Sequence, residues 1–566
     1  MPNNGMLRVA SDRGLDGYGS NALCKLGFSG KAMQAGMASA AENGSNMNTE
    51  GYSRRYLSLT SDSVRGVKAR LLRASDPFAV AAIRDDSSLL EYDKSVHETL
   101  SILEQKIVNQ TDPLDNDPIG AIRTNTIGGA LDGLKAALSN LQTMPNDVGM
   151  KTAVREAAQK LVSAVKQTYA FVVEAENRLK ENVKNKVERI NELLKTIGEL
   201  NRDIARSEGS GGRLHSLEDR RDVALKELSG YIPIDVQHKT VEVNGFQMRV
   251  CEVFLKGERG LSQPGIPAGG ADPLVVDGNR MLVNRKGETM TFFCEDVAGG
   301  ARRVEALAIG VQDVAGGGNR IGRPGGQYGL VGPAAGLAAF TNFLQRNSNL
   351  GGSLVADLNL LRGQIAGDAL KTAPYRCIPE YKTLLNQLVN GTAGGGVNGL
   401  VHEFNTANIA AATAAAAGGP PPPPVDLFVG AALPNFDFNI NPLWAQNVNL
   451  LSSNDARALF VATEAPTAIR FGGNAGPQMT FTGFYNRMAD ELGRHVRTAK
   501  NDQKVHDDKL EADKNRRDEA SSVDMDDEYE DMAKYQAVND FIHEARRVML
   551  YILFALSAAL MRDSVR

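Results

Sequence analysis

From Met150 to Arg206 apolar side chains recur every three or four residues: Val154, Ala158, Leu161, Val165, Tyr169, Val172, Leu179, Val183, Val187, Ile190, Leu193, Ile197, Leu200 and Ile204. A strand cannot carry that period, because its side chains change face at every residue. Sustained over many heptads and interrupted mainly at Glu176, the pattern specifies a very long helix. Its stripe demands cover from a bundle or a coiled-coil partner. Gly209, Gly211 and Gly212 end it. The next stretch, "LHSLEDRRDVALKELSG", predicts a second helix that returns along the first as an αα-hairpin.

At 566 residues the chain exceeds one ordinary core, which argues for several domains. Before the long helix, Leu89, Val96, Leu100, Leu103 and Ile107 mark another helical face. From Tyr231 the period changes. "VEVNGFQMRVCEVFLKG" and "PLVVDGNRMLVNRKGETMTFF" predict short strands around Asn-Gly and Asp-Gly turns, within a β-rich insert reaching about Gly332. Helical patterning resumes with "GSLVADLNLLRGQI" and "IPEYKTLLNQLVN". The low-complexity "AAATAAAAGGPPPPP" then reads as a semi-rigid linker, and the last helices run from about Phe484 to Arg562.

Two apolar stripes lack an obvious local partner. One comprises Leu23, Leu26, Gly30, Met33, Met37 and Ala40. The other comprises Met525, Tyr529, Met532, Tyr535, Val538, Ile542, Ala545, Met549, Ile552, Leu556 and Ala559. They are expected to pair with each other, or with copies in neighbouring subunits. The fold class expected is mainly α with a β-rich inserted domain, the N- and C-terminal helices paired as a coiled coil beside a long-helix bundle body.

Chemistry is hard to find. With 63 basic and 67 acidic residues the net charge is -4, which argues against nucleic acid as a partner. Cys24, Cys251, Cys294 and Cys377 lie far apart and read as free thiols. "CKLGFSGKA" lacks the glycine and hydroxyl of a phosphate loop, and "GGGVNG" follows a helix rather than a strand. "DMDDEYED" lacks the central glycine of a calcium loop, and reads instead as the acidic first turns of a helix capped by Ser521 or Ser522. His506, Asp507 and Asp508 read as a solvated charged face. No catalytic, cofactor-binding or metal residue is assigned, and an enzyme is not supported. The first twenty residues lack the apolar core of a signal peptide. "VMLYILFALSAALM" falls short of the roughly twenty residues that span a bilayer, so membrane insertion is not expected.

One polar stretch, "NMNTEGYSRR", interrupts the N-terminal helical pattern. Asn and Gly tolerate left-handed backbone and allow a sharp turn, while Tyr and Arg are suited to interfaces. Asn46, Asn48, Thr49, Gly51, Tyr52, Ser53 and Arg54 resemble the motif "N-T-x-G-Y-[S/T]-R" of bacterial flagellar axial proteins. "SSVDMDDEYEDMAKYQ" is similar to that family's C-terminal motif at Val523, Asp526, Glu528, Tyr535 and Gln536. The long helix with "LEDRRD" resembles the hook-associated branch in particular, although Glu218 and Arg220 depart from its pattern.

The resemblance implies a structural subunit joining hook to filament, exported through the flagellar type III channel and secreted into the flagellum. It implies as partners other copies in a ring, the hook protein, a second junction protein and the filament. A cytoplasmic export chaperone would shield the C-terminal helix. On this basis residues 1–20 are expected to be a disordered export segment, and 21–75 with 505–566 the terminal-helix domain. Residues 76–235, 333–410 and 455–504 would form the bundle body, 236–332 the insert, and 411–454 the linker and a mixed segment. The alternatives are a hook or rod protein, or a membrane-anchored coiled coil.

Overall fold

In the computed structural model the long helix runs without a break from Val148 to Ser207, and the body is assembled along it. The structure describes residues 5–62, 66–108, 126–207, 212–243, 246–256, 291–297, 301–312, 319–320, 351–362, 375–391, 399–415, 426–433, 435–451, 453–464, 469–471 and 477–564.

Helix α1 (Gly5–Asn46) leads into an antiparallel hairpin of β1 (Arg55–Asp62) and β2 (Gly66–Arg73), then α2 (Pro77–Ile107) and α3 (Ile127–Thr143). The long helix is α4, followed by α5 (Gly212–Tyr231). A second hairpin joins β3 (Ile234–Val243) to β4 (Phe246–Leu255), and β5 (Thr291–Val297), β6 (Ala301–Gln312) and β7 (Asn319–Arg320) make a three-stranded antiparallel sheet. Next come α6 (Ser353–Arg362), α7 (Ile378–Asn390), α8 (Leu400–Ala415), the β8 (Phe428–Ala431) and β9 (Asp437–Ile440) hairpin, and α9 (Pro442–Gln446). The chain then passes through α10 (Ser453–Glu464), β10 (Ile469–Arg470) and β11 (Gln478–Met479) to α11 (Phe481–Ser521) and α12 (Met525–Ser564). Most of the expected β-rich insert, including its Asp-Gly turn, and the proline run lie outside the described residues. Helix α1 begins at Gly5, inside the stretch expected to be disordered. No proline follows Pro2 there, and extending a nucleated helix needs only one hydrogen bond per added residue.

The stripe of α4 is buried almost throughout, but its cover changes along its length. Near its start Arg155 donates to the Ala445 carbonyl at 3.2 Å, and Lys166 reaches Asn439 on β9 at 2.5 Å. Farther along, Lys186 meets Asp357 on α6 at 2.6 Å and Arg189 meets Glu227 on α5 at 2.7 Å. Towards its end Asn201 donates to the Cys251 carbonyl of β4 at 2.9 Å. Thr168 rather than Tyr169 occupies the core, and Tyr169 instead stacks on Phe436 at 4.1 Å. The interruption at Glu176 also has a partner: its carboxylate is held by Lys180 at 2.7 Å and by Lys382 of α7. Each fully buried Leu, Ile or Val in the stripe stabilises the body by roughly 1.5–3 kcal/mol.

Helix ends follow capping chemistry. Asp76, Thr126 and Thr480 accept from the first free amides of α2, α3 and α11. Asp147 does so for α4, at 3.0 Å from the Met150 amide. Helix α12 is capped by Asp524, whose carboxylate accepts from the Asp526 amide at 2.9 Å, and not by either serine. Ser521 is spent inside α11, bonded to the Arg517 carbonyl at 2.7 Å.

Helices α2 and α11 lie against each other through Ile83, Leu90 and Leu510. His506 is part of this contact and is not solvated: its Nδ1 lies 2.5 Å from the buried Asp93 carboxylate. Burial raises the Asp93 carboxyl above its ordinary range although His506 pulls it down. Among the described residues, no helix is long and apolar enough to cross a membrane. Cys24, Cys251 and Cys377 are free thiols.

The ion pair at the centre of the body is testable. Asp357 is fully buried and its carboxyl is raised by burial, with Lys186 and Ser95 opposing. A raised acid contributes stability that is present below the unfolded carboxyl pKa and is lost as pH rises through the folded value. Lys186→Met leaves that carboxylate unpaired at neutral pH, and urea unfolding at pH 7 should show a loss of about 3–5 kcal/mol. The deficit should shrink as pH falls and Asp357 binds a proton. An equal deficit at pH 7 and pH 5 would contradict this account.

Candidate assembly site

The polar stretch after α1 makes two tight turns in succession. The Thr49 amide donates to the Asn46 carbonyl at 2.9 Å, and the Tyr52 amide to the Thr49 carbonyl at 3.1 Å. Asn46 closes α1, its side chain donating to the Glu42 carbonyl at 2.9 Å and accepting from the Thr49 hydroxyl at 3.3 Å. Gly51 has φ +79°, and a Cβ there would collide with Val223 on α5. Glycine is therefore required both for the backbone and for the close approach. Asn48 and Thr49 stay exposed at the tip, whereas Ser53 is buried.

Behind the turn sits Asn43, buried on α1 and absent from the residues singled out in the sequence. Its Oδ1 accepts from the Tyr52 hydroxyl at 2.7 Å and from the Arg55 amide at 3.0 Å. Its Nδ2 donates to the Arg55 carbonyl at 2.8 Å and to the Glu528 carboxylate at 2.9 Å. Burial pushes the Tyr52 hydroxyl up to about 12, so it stays protonated and able to donate. Arg54 binds the start of α12: Nε lies 2.6 Å from Glu528, with Asp527 at 3.5 Å and Asp531 at 3.4 Å. Its amide also donates to the Ser521 carbonyl at the end of α11, at 3.0 Å.

The other side of the turn meets α5. Arg55, nearly inaccessible, pairs with Glu42 at 2.5 Å and Asp219 at 3.5 Å, and lies over the Tyr52 ring at 5.0 Å. Arg73 pairs with Asp219 at 2.8 Å and Asp222 at 2.7 Å. Lys226 holds Glu50 at 2.8 Å and keeps its carboxyl below the ordinary range. Burial raises the Asp219 carboxyl despite the two guanidiniums beside it. His215 ties α5 to the β2 backbone through the Leu71 carbonyl at 3.1 Å. Thus the "LEDRRD" segment and the N-terminal turn, remote in sequence, form one contact.

The terminal helices α1 and α12 lie antiparallel. A Cβ at Gly44 would come 3.3 Å from Met525, one at Gly36 would press on the Tyr535 ring, and one at Gly30 would lie 3.6 Å from Ile542. Ala32, Met33 and Ile542 form a small core, with Leu26, Leu57 and Tyr535 packed against it. Met37, Met525, Met532, Ala545 and Met549 are half-buried. The expected seam needs correcting at Val538, Ile552 and Leu556, which are 45%, 50% and 47% exposed. Glu528 and Asn539 take buried places on α12 instead. A search for apolar residues passes over them, although the spacing 525, 528, 532, 535, 539 and 542 is a regular heptad.

Gly51→Ala should reveal the double constraint. Left-handed backbone at a non-glycine residue costs about 1 kcal/mol or more, and the collision with Val223 adds to it. Adding Val223→Ala should recover the collision's share and leave the backbone share. Hydrogen exchange over residues 43–55 and 521–535, with thermal unfolding, measures both. Full recovery in the double variant would show that the backbone conformation is not limiting.

Residues 117–259, which take in α3, α4, α5 and the β3–β4 hairpin, match the family model described as the flagellar hook-associated protein FlgK helical domain. Flagellar hook-associated protein 1 of Bacillus subtilis (strain 168) is 25% identical over 228 residues, covering 37% of this chain and 42% of that protein. The chain therefore matches less than half the length of that relative. Among solved structures, the flagellar hook junction protein FlgK from Burkholderia pseudomallei is similar at a TM-score of 0.35 and 19% identity, over 63% of this chain and 47% of that one. The two sequence matches agree: through residues 117–259 the chain is similar to the helical domain of FlgK, a flagellar hook-associated protein.

Proposed function

We propose that this chain is the structural subunit that joins the flagellar hook to its filament, assembling as a ring through its terminal helices after type III export. The observation that carries the proposal is the joint made by the turn at residues 46–54. Arg54 and Asn43 fasten the start of α12, while Arg55 and Glu50 fasten α5 within the matched span. A terminal helix pair fixed to a rigid body suits a part that must transmit torque between two tubes. Its partners in this role are other copies, the hook protein, the second junction protein and the filament. A cytoplasmic chaperone would cover α12 before export, since Phe541, Tyr551 and Phe554 are 73–76% exposed and an uncovered apolar helix invites aggregation. In the proposed layout α1 and α12 form a coiled-coil inner layer, the bundle the next, and the strands of the insert the outside.

Deleting the gene and imaging the cells by negative-stain electron microscopy tests this directly. Bare hooks with flagellin released to the medium are expected. Loss of hooks would move the chain to the rod or hook, and intact filaments would overturn the flagellar role. Truncation after Ser522 should give a soluble protein that does not support filaments; normal assembly of that variant would rule out a role for α12.

A further inference from the structure

Beside the contact between α1 and α12 lies an open groove of about 430 Å³, walled by Leu23, Leu26, Gly27 and Gly30 on one side and Ile542 and Arg546 on the other. A Cβ on Gly27 would meet nothing within 4 Å, so the groove is vacant where that residue faces it. Lys31 and Arg546 stand at its edge, and neither makes an ion pair with another described residue. The groove is thus an apolar slot with a cationic rim.

Helix α12 also carries what would fill such a slot. Val538, Phe541, Val548, Tyr551 and Ile552 are between 45% and 76% exposed and form a second apolar stripe, turned away from α1. Phe541, 73% exposed, is the residue beside Ile542 in the chain. It stands at the height of the groove but is rotated from its wall by about 100°, the angle between successive helical residues. Asp540 flanks it, exposed and without an ion pair among the described residues. The aromatic knob therefore has an acidic neighbour, and the slot has a basic rim.

We infer that Phe541 of one copy inserts into the Gly27 groove of the next copy, a contact that rests on the ring assembly proposed above. Knob and slot lie at one height and on different sides, so two copies side by side engage knob to slot. Each copy keeps one free knob and one free slot. Such a contact is heterologous, and it repeats around a ring until the rotation closes. Asp540 then meets the Lys31 and Arg546 rim, which fixes the direction in which the copies follow one another.

The test exchanges volume across the contact in the full-length chain, expressed in the native strain lacking its own copy. Gly27→Leu extends into the open slot, where its Cβ meets no protomer atom within 4 Å, and a helical Leu is no worse than Gly, so the purified monomer should keep its circular dichroism and melting behaviour. Phe541→Ala removes the knob. Each single variant should reduce filament-bearing cells at least tenfold. The double variant, with a filled slot and no knob, should regain much of the loss. Filaments at the normal frequency in Gly27→Leu would overturn the inference, as would a double variant no better than the worse single.

A covalent readout separates this contact from the junction role itself. Cys24 is exposed and lies on the same groove, and Glu544 is one turn beyond Phe541. In isolated hook–filament particles carrying Glu544→Cys, mild oxidation should give a ladder of this chain that disappears when Cys24→Ser is added. Particles that contain the chain but yield only monomer, or a product joined to a different protein, would overturn the contact alone. Absence of the wild-type chain from the particles would overturn both the contact and the junction role.

Discussion

The carboxylate of Glu528 is buried, and it is tolerable there only because Arg54 and Asn43 meet it at 2.6 and 2.9 Å. A charge so placed is costly without partners, and hydrogen bonds to charged groups are worth roughly 1.5–3 kcal/mol each. Both partners come from the N-terminal end of the chain, so the first turns of α12 depend on the end of α1 and on the turn that follows it. Asn43 makes the dependence mutual. The same amide that holds Glu528 also satisfies both backbone groups of Arg55 and orients Tyr52. Removing Asn43 would leave the Arg55 amide and the Tyr52 hydroxyl without the acceptor they share, and would leave Glu528 to Arg54 alone.

From that knot the constraint passes into the body through α5. Asp219 sits between Arg55 and Arg73, and Glu50 reaches Lys226 outside them. Helix α5 is in turn held to α4 by Arg221 on Asn201 at 3.2 Å and by Arg189 on Glu227. A continuous series of charged contacts therefore runs from α12 through the turn to the spine of the body. Apolar packing alone would permit α1 and α12 to slide along each other, because their shared core is small. The directional ion pairs fix the register.

The spine was legible in the sequence, since one helix of fourteen stripe positions leaves no alternative period, and it runs from Val148 to Ser207, slightly beyond the expected Met150–Arg206 at both ends. The turn was also legible, as a motif. Its central residue was not: Asn43 precedes the motif inside a helical stretch, where nothing in composition distinguishes a buried asparagine from a solvated one. The same limit explains His506. On a helix rich in charge it read as surface, yet α2 brings Asp93 to it from 413 residues away. Polar side chains declare their burial only through partners, and partners this distant leave no local pattern. Val538 failed for the opposite reason. It is apolar and at a permitted step of four from Ile542, but Asn539 lies on the inner face in its place.

That displacement is informative about α12 as a whole. A helix that serves one partner carries one stripe, and its other faces are polar. Here Glu528 and Asn539 lie inside while Val538, Phe541, Val548 and Tyr551 lie outside, an inversion that one protomer has no use for. Of the inner polar residues, Glu528 is held by Asn43 and Arg54, whereas the buried Asn539 Oδ1 has no hydrogen-bond partner among the described residues. The outer apolar residues gain nothing in the isolated chain and expose it to aggregation. Only a second surface makes such a helix economical, and the vacant slot at Gly27 offers one of matching chemistry on the same molecule. Under the proposed contact the terminal pair is a half-complete unit: one face of α12 closes the protomer, and the other would take the neighbour that completes it.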